Sequence, residues 1–492
     1  MKNLKQRTLR GGVAKIGSQA AIFVLRIGSV IVLARLLDPK DFGLVGMATV
    51  VTGSFNLFKD AGLSLVTVQR AEISDEQLST LFWVNMLVGG VLALTCIALA
   101  PVLVTFYREP RLFWVAVALG MAFVLNAAGV QHSALLQRQM RFDALAMIEI
   151  VSWLASVVVG IGLAMAGFGY WALVWMAVSL PAVSAAGAWL STAWIPGAPR
   201  RGVGIRSMLG VGGTVTLNSI IVYVAYNLDK LLIGRFWGAE ALGLYGRAYQ
   251  LINIPTENLN SAVGGVALSA LSRIQDDPLR FKSYFLKSYS LVLALTLPVT
   301  IACALLADDI IAVLLGAKWR EAAPIFRLMA PTILAFAIIN PLGWLLLARG
   351  QVGRSLRMAF VIAPLVICGY VAGLPYGANG VAFGYSFTML LLTVPMLFWA
   401  IRGSVISSED IARAIKPPFI SAVTATGLTF AVVRLGGSGL APFTRLLLGG
   451  GVLVSSYLWM LLDVMGQKQF YQGVIRDSRS AVTRLADVPT TG

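Results

Sequence analysis

Apolar runs long enough to cross a bilayer, about 20 residues of helix each, follow one another from residue 16 to residue 464, parted by short polar joints. Each run predicts one membrane-spanning helix. Fourteen are read, with cores near 16–37, 42–66, 81–106, 112–135, 144–166, 170–194, 208–233, 242–268, 286–307, 325–347, 357–376, 380–401, 417–434 and 444–464. Joints such as "LDPKD" and "AGFG" leave room only for antiparallel helical hairpins. The expected fold class is an all-α polytopic membrane protein: two parallel six-helix lobes plus two C-terminal helices, around a central cavity.

Composition agrees. The chain is 58% hydrophobic and 12% charged with a mean hydropathy of +0.80, where a soluble protein carries about 25% charged residues. A net charge of +17 and a pI of 10.1 would suggest nucleic acid in a soluble protein. Here the basic residues are better read as topology signals that also meet anionic lipid, so no nucleic-acid partner is expected. The N-terminus, the even-to-odd loops and the C-terminal tail hold 25 Lys and Arg, and the opposite loops hold 10. Both termini are therefore expected in the cytoplasm, which an even number of spans also requires. The basic start "MKNLKQRTLRGGVAKIG" runs into an apolar stretch with no cleavage site, so it reads as a first span rather than a signal peptide.

An internal repeat organises the spans. "RLLDPKDFGLVGMA" (35–48) aligns without gaps on "RFWGAEALGLYGRA" (235–248), with five of fourteen positions identical. "GFGYWAL" at 167 and "ANGVAFG" at 378 match more loosely. This predicts an N-terminal six-helix lobe (1–195), a cytoplasmic linker (196–206), a second six-helix lobe (207–403), helices 13 and 14 (404–465) and a cytoplasmic tail (466–492).

Enzyme chemistry has little to work with. The single histidine, His132, excludes metalloprotease motifs, and it reads as a hydrogen-bonded packing residue. Cys96, Cys303 and Cys368 lie far apart in apolar runs and suit neither a metal nor a disulfide framework. "GVAKIGS" lacks the lysine of a phosphate-binding loop. No enzyme activity, metal or cofactor is expected.

The informative residues are polar groups inside the spans. A charge at mid-helix costs about 2.5–3.5 kcal/mol on insertion scales and should face a cavity or a partner. Arg26 stands near the centre of span 1. Lys59 follows Thr49, Thr52 and Asn56 in steps of three and four, which places all four on one face of span 2. Span 7 carries Ser219, Tyr223, Tyr226, Asn227 and Lys230, and span 8 carries Arg247, Gln250, Asn253, Glu257 and Asn260 in the same rhythm. Equivalent helices of the two halves thus present polar stripes with a cation each, which predicts a hydrated cavity lined by spans 1, 2, 7 and 8. The competing reading is structural: Asp229 could serve Lys230 or Arg247, and Asp60 could serve Lys59. Arg35 and Arg235 fall at span ends and can snorkel to the interface. A cationic cavity with Tyr, Asn and Gln beside the charges suits an acidic or phosphorylated glycan carrier.

"NLDKLLIGRFWGAEALGLYGRAYQL" followed by "IP", together with "ARLLDPKDFGLVGMATV", "GFGYWALV" and "IAVLLGAKWREAAPIFRLMAP", resembles the polysaccharide-transporter (Wzx-type flippase) family. That family belongs to the multidrug/oligosaccharidyl-lipid/polysaccharide exporter superfamily, and the resemblance covers roughly residues 5–465. It implies flipping of undecaprenyl-diphosphate-linked oligosaccharide across the bacterial inner membrane by two rocking lobes, for exopolysaccharide, capsule or O-antigen. Membrane lipids and polysaccharide polymerase and co-polymerase proteins are the partners it implies. It carries the substrate-binding role onto Arg26, Lys59, Lys230 and Arg247. Asn56, Tyr223, Tyr226, Asn227, Gln250 and Asn253 read as supporting lining, and Asp229, Glu257 and Glu149 as candidates for ion coupling. A multidrug antiporter of the same superfamily and a non-transporting scaffold are the alternative readings.

Overall fold

The apolar runs are helical, as hydrocarbon demands of a chain that must satisfy its backbone polar groups internally. A computed structural model describes residues 2–56, 58, 63–70, 72–200, 213–436 and 439–473, and contains no strand among them. In chain order the helices are α1 (Lys2–Leu36), α2 (Pro39–Phe55), α3 (Leu63–Gln69), α4 (Asp75–Tyr107), α5 (Leu112–Arg138), α6 (Phe142–Met165), α7 (Trp171–Thr192) and α8 (Gly213–Arg273). They continue as α9 (Pro278–Leu305), α10 (Ala307–Leu314), α11 (Ala322–Ala348), α12 (Val352–Gly373), α13 (Gly377–Ile401), α14 (Ser408–Gly436) and α15 (Pro442–Trp459). Among the described residues ten segments have the length and hydropathy to cross a membrane, one of which, Gly353–Ile401, holds both α12 and α13. Helix α2 is short, with 17 residues, and neither it nor α8 is among the ten.

Helix α8 is two helices folded back on each other. Gly238 interrupts it with φ 81°, a left-handed value that only glycine adopts without penalty. On a straight helix, residues 16 apart would be separated by about 24 Å. Instead the Tyr245 hydroxyl reaches the Asp229 carboxylate at 2.7 Å. The turn at Gly238 is thus the counterpart of the joint between α1 and α2, where Asp38 caps α2 and Pro39 opens it.

The chain divides into two compact units, Met1–Gly246 and Arg247–Gly492. The boundary between the units falls inside α8, and the first part of α8 is fastened to α2. Tyr223 donates to the Val50 carbonyl at 3.0 Å, directly above Gly53, where a methyl group would run into the tyrosine oxygen. In the first unit α4 packs on α5, α5 on α7, α7 on α6 and α6 on α1. In the second, α9 packs on α11, α11 on α13 and α13 on α12. Three pairings of the first unit recur in the same order in the second. The α12–α13 crossing is close because glycine meets glycine, with Gly369 against the Gly384 carbonyl and Gly373 against that of Gly380.

Helices α14 and α15 pack on each other and are tied to the second unit by buried carboxylates. Asp309, 3% exposed, accepts two hydrogen bonds from Arg445 Nε at 2.8 Å and one from Nη2 at 2.5 Å. Asp410, 8% exposed, meets Lys282 Nζ at 2.6 Å and also accepts from the Ser407 hydroxyl and backbone N–H.

The start of the linker is strapped to the first unit. Trp83 Nε1 donates to the Gly197 carbonyl at 2.9 Å, Gly197 N–H to Ser79 Oγ at 2.9 Å, and Arg200 pairs with Glu76. His132 is a packing residue there: buried, stacked on Trp189 at 4.3 Å, with Nε2 3.2 Å from the Trp194 carbonyl oxygen.

Candidate functional site

Polar residues of α2, α5, α6 and α7 enclose a cavity of about 450 Å³ inside the first unit. Thr49, Thr52 and Asn56 come from the α2 stripe, because steps of three and four keep them on one helical face. Asn126, Glu149, Ser152 and Ser184 face them from the other three helices. Glu149 brings the one carboxylate of this lining. It is half-buried and accepts a 3.4 Å hydrogen bond from Gln19 Nε2 of α1. Among the described residues the buried Asn126 Oδ1 of this lining has no hydrogen-bond partner, and Thr52 beside it is 6% exposed. A second cavity of about 270 Å³ shares Asn126, Pro181 and Ser184 with the first and reaches Ser64, Ser133 and Gln137.

Arg26 lies seven residues beyond Gln19, on the same face of α1. Its side chain is exposed, and its guanidinium makes no hydrogen bond or ion pair among the described residues. Lys59 and Asp60 lie outside the described residues.

The α8 residues form a tight local network. Lys230 Nζ donates to Asn227 Oδ1 at 2.8 Å, and Asn227 Nδ2 donates to the Tyr223 carbonyl at 2.9 Å. Tyr226 is half-buried beside them. Asp229 is completely buried: Oδ1 accepts the Lys230 backbone N–H and Oδ2 the Tyr245 hydroxyl, both at 2.7 Å. The adjacent ammonium turns to Asn227, since neighbours on a helix point about 100° apart. In the second unit Arg247 donates from Nη1 to Gln250 Oε1, Asn253 is half-buried, and Glu257 is exposed with no partner among the described residues.

The structure therefore brings Asn56 and Glu149 to one cavity and Tyr223, Asn227, Lys230 and Asp229 into one network. Sequence reasoning passed over Asn126, Ser152 and Ser184, which lack charge and stand alone in their runs. It also passed over Tyr245, although the repeat marks that position. "GLYG" at 243–246 matches "GLVG" at 43–46 except that a tyrosine replaces Val45.

Outside the spans, Arg111 donates from Nε and Nη2 to Glu109 at 2.8 Å and holds that carboxyl below the usual carboxylate range.

Residues 32–324 match a family described as polysaccharide biosynthesis protein. The chain is 28% identical over 412 residues to the lipopolysaccharide biosynthesis protein WzxC of Escherichia coli (strain K12), covering 81% of this chain and 82% of that protein. It is 29% identical over 364 residues to the teichuronic acid biosynthesis protein TuaB of Bacillus subtilis (strain 168), covering 71% and 73%. The fold is similar to that of the lipid II flippase MurJ in an inward closed conformation, with a TM-score of 0.71 at 14% identity over 95% of this chain and 100% of that one. An inward-facing multidrug resistance MATE transporter of the MOP superfamily gives a TM-score of 0.60 at 13% identity, over 80% and 96%.

Proposed function

The chain belongs to the polysaccharide biosynthesis protein family, of the Wzx type, and from that premise we propose that it flips undecaprenyl-diphosphate-linked oligosaccharide across the bacterial inner membrane. Its multi-pass helical fold is that of a transporter. The names of its relatives, lipopolysaccharide and teichuronic acid biosynthesis proteins, support a lipid-linked glycan as cargo.

The observation that carries the reading is Arg26. An exposed guanidinium with no partner among the described residues, in the middle of a spanning helix, costs about 2.5–3.5 kcal/mol unless water or a ligand meets it. An anionic diphosphate or acidic sugar repays that cost through charge-assisted hydrogen bonds. Lys230 and Arg247 are the other described cations of this set, beside the amides of Asn227 and Gln250. The cationic residues Arg26, Lys59, Lys230 and Arg247 would bind the headgroup, with the tyrosines and amides beside them contacting sugar hydroxyls. The polyprenyl tail stays in lipid while the two lobes rock.

Coupling to an ion gradient falls to one of three carboxylates. Asp229 already spends both oxygens on fixed donors, whereas Glu149 lines a cavity beside the unpartnered Asn126 Oδ1. The reading favours Glu149, with Glu257 next.

The test is flipping in proteoliposomes loaded with undecaprenyl-diphosphate oligosaccharide, followed by the access of an external glycosidase. Glycan exposure that depends on the protein supports the reading. Protection of the glycan, together with export of cationic dyes by the same vesicles, would replace it with the multidrug antiporter.

A further inference from the structure

The cavity between α2, α5, α6 and α7 has a polarity opposite to that of an anion site. Its lining holds one carboxylate, Glu149, and no Lys or Arg among the described residues. Several of its oxygens are placed to accept. Asn126 Oδ1 is buried without a partner among the described residues, and an acceptor left so inside a spanning helix calls for a donor. Ser152, 1% exposed, turns its hydroxyl proton back to the Ile148 carbonyl at 2.6 Å, and Thr49 does the same to the Gly46 carbonyl at 3.0 Å. Each of these hydroxyl oxygens keeps a lone pair for a further hydrogen bond, while the side-chain amides of Asn56 and Asn126 supply N–H donors.

An indole borders these groups. Glu149, Ser152 and Trp153 stand three and four residues apart, hence on one face of α6, and all three line the cavity. Its volume of about 450 Å³ lies within the roughly 300–1,000 Å³ of small-molecule sites, which likewise combine aromatic walls with a few placed polar groups.

We infer that this cavity is a sugar subsite, which takes one uncharged pyranose unit packed on Trp153 with its hydroxyls on Asn126, Ser152 and Thr49. A pyranose has the matching make-up. Its hydroxyls both donate and accept, and its C–H faces are apolar and slightly electropositive, which suits the electron-rich face of an aromatic ring. A phosphate or a uronate brings acceptors alone and is repelled by Glu149 across a medium of low dielectric. The inference rests on the flippase reading above and places part of the glycan on residues other than the cations assigned to the headgroup. Trp153 and Asn126 are then specificity residues for the sugar.

The test is protection of an introduced thiol in the purified full chain in nanodiscs. The background is Cys368→Ser, since Cys96 and Cys303 are buried. Ser184→Cys and, separately, Thr49→Cys put a thiol on the lining. The probes are methyl glucoside, methyl galactoside and methyl N-acetylglucosaminide, against inorganic diphosphate and ethidium. At least one glycoside should slow labelling by a methanethiosulfonate reagent, and diphosphate should not. Asn126→Ala and Trp153→Ala should raise the glycoside concentration needed for protection about two- to tenfold, whereas Trp153→Phe keeps most of it because the ring remains. Unchanged labelling rates without sugar show that these variants are folded. Protection by no glycoside, equal protection by diphosphate or ethidium, or two thiols that no reagent reaches would overturn the subsite. Protection needs no transport, so the two readings fail separately. Protection without flipping in proteoliposomes would strike the flippase reading, and flipping without protection would strike the subsite alone.

Discussion

Tyr245 donates its hydroxyl to Asp229 across the Gly238 turn, and both residues are completely shielded from solvent. This one hydrogen bond joins the two arms of α8 at the level of Lys230. The other Asp229 oxygen accepts the Lys230 backbone N–H, so both carboxylate oxygens have fixed donors. Tyr245→Phe strands a buried acceptor, which costs about 1–3 kcal/mol. A lower melting temperature in detergent is the expected outcome. An unchanged melting temperature would show that the bond contributes nothing to stability.

The coupling carboxylate can be found by neutralisation. Glu149→Gln should abolish the dependence of export on an imposed ion gradient while the protein still inserts. Asp229→Asn should keep that dependence, because the amide oxygen still accepts from Tyr245. Everted membrane vesicles with imposed proton and sodium gradients provide the measurement. The opposite pattern would return Asp229 to the coupling role.

Charge removal tests the residues proposed to bind the anionic headgroup. Each ion-pair hydrogen bond contributes roughly 1.5–3 kcal/mol, so Arg26→Ala or Lys230→Ala should weaken carrier binding about ten- to a hundredfold. Both variants should insert normally and fail to restore export in a strain lacking the transporter. Arg26→Lys should retain part of the activity, since a point charge still attracts phosphate without the guanidinium fork. Full export by both alanine variants at normal abundance would assign these charges to structure.

The Asp309–Arg445 pair gives a stability prediction in the second unit. Arg445→Ala leaves a carboxylate with 3% exposure unpaired, at a cost of about 3–5 kcal/mol. The double variant Asp309→Leu/Arg445→Met should recover most of that loss, because no buried charge is left behind. Thermal unfolding of the purified protein distinguishes the two.

Topology is checked by reporter fusions. A fusion after Gly466 should behave as cytoplasmic and one at Gly377 as periplasmic. The reverse pattern would turn the chain over.

Much of the architecture was legible because bilayer physics is one-dimensional. A run of apolar residues long enough to span must become a helix, whatever packs beside it, so the succession of helices and the repeat of Arg35–Ala48 at Arg235–Ala248 follow from the letters alone. The rhythm of Thr49, Thr52 and Asn56 fixed a shared face before any neighbour was known. What that face meets was decided only in three dimensions. Asn126, Glu149, Ser152 and Ser184 come from three other helices, and no spacing within one helix encodes a distance to another. The fate of Asp229 was also tertiary. Its sequence neighbour is Lys230, yet a helix points adjacent side chains apart, and the chain reversal at Gly238 delivered Tyr245 instead. The shared glycines were visible as identities, but their difference was not: 43 and 243 touch a backbone where 46 and 246 do not. Local periodicity is a property of one helix, and partnership is a property of two.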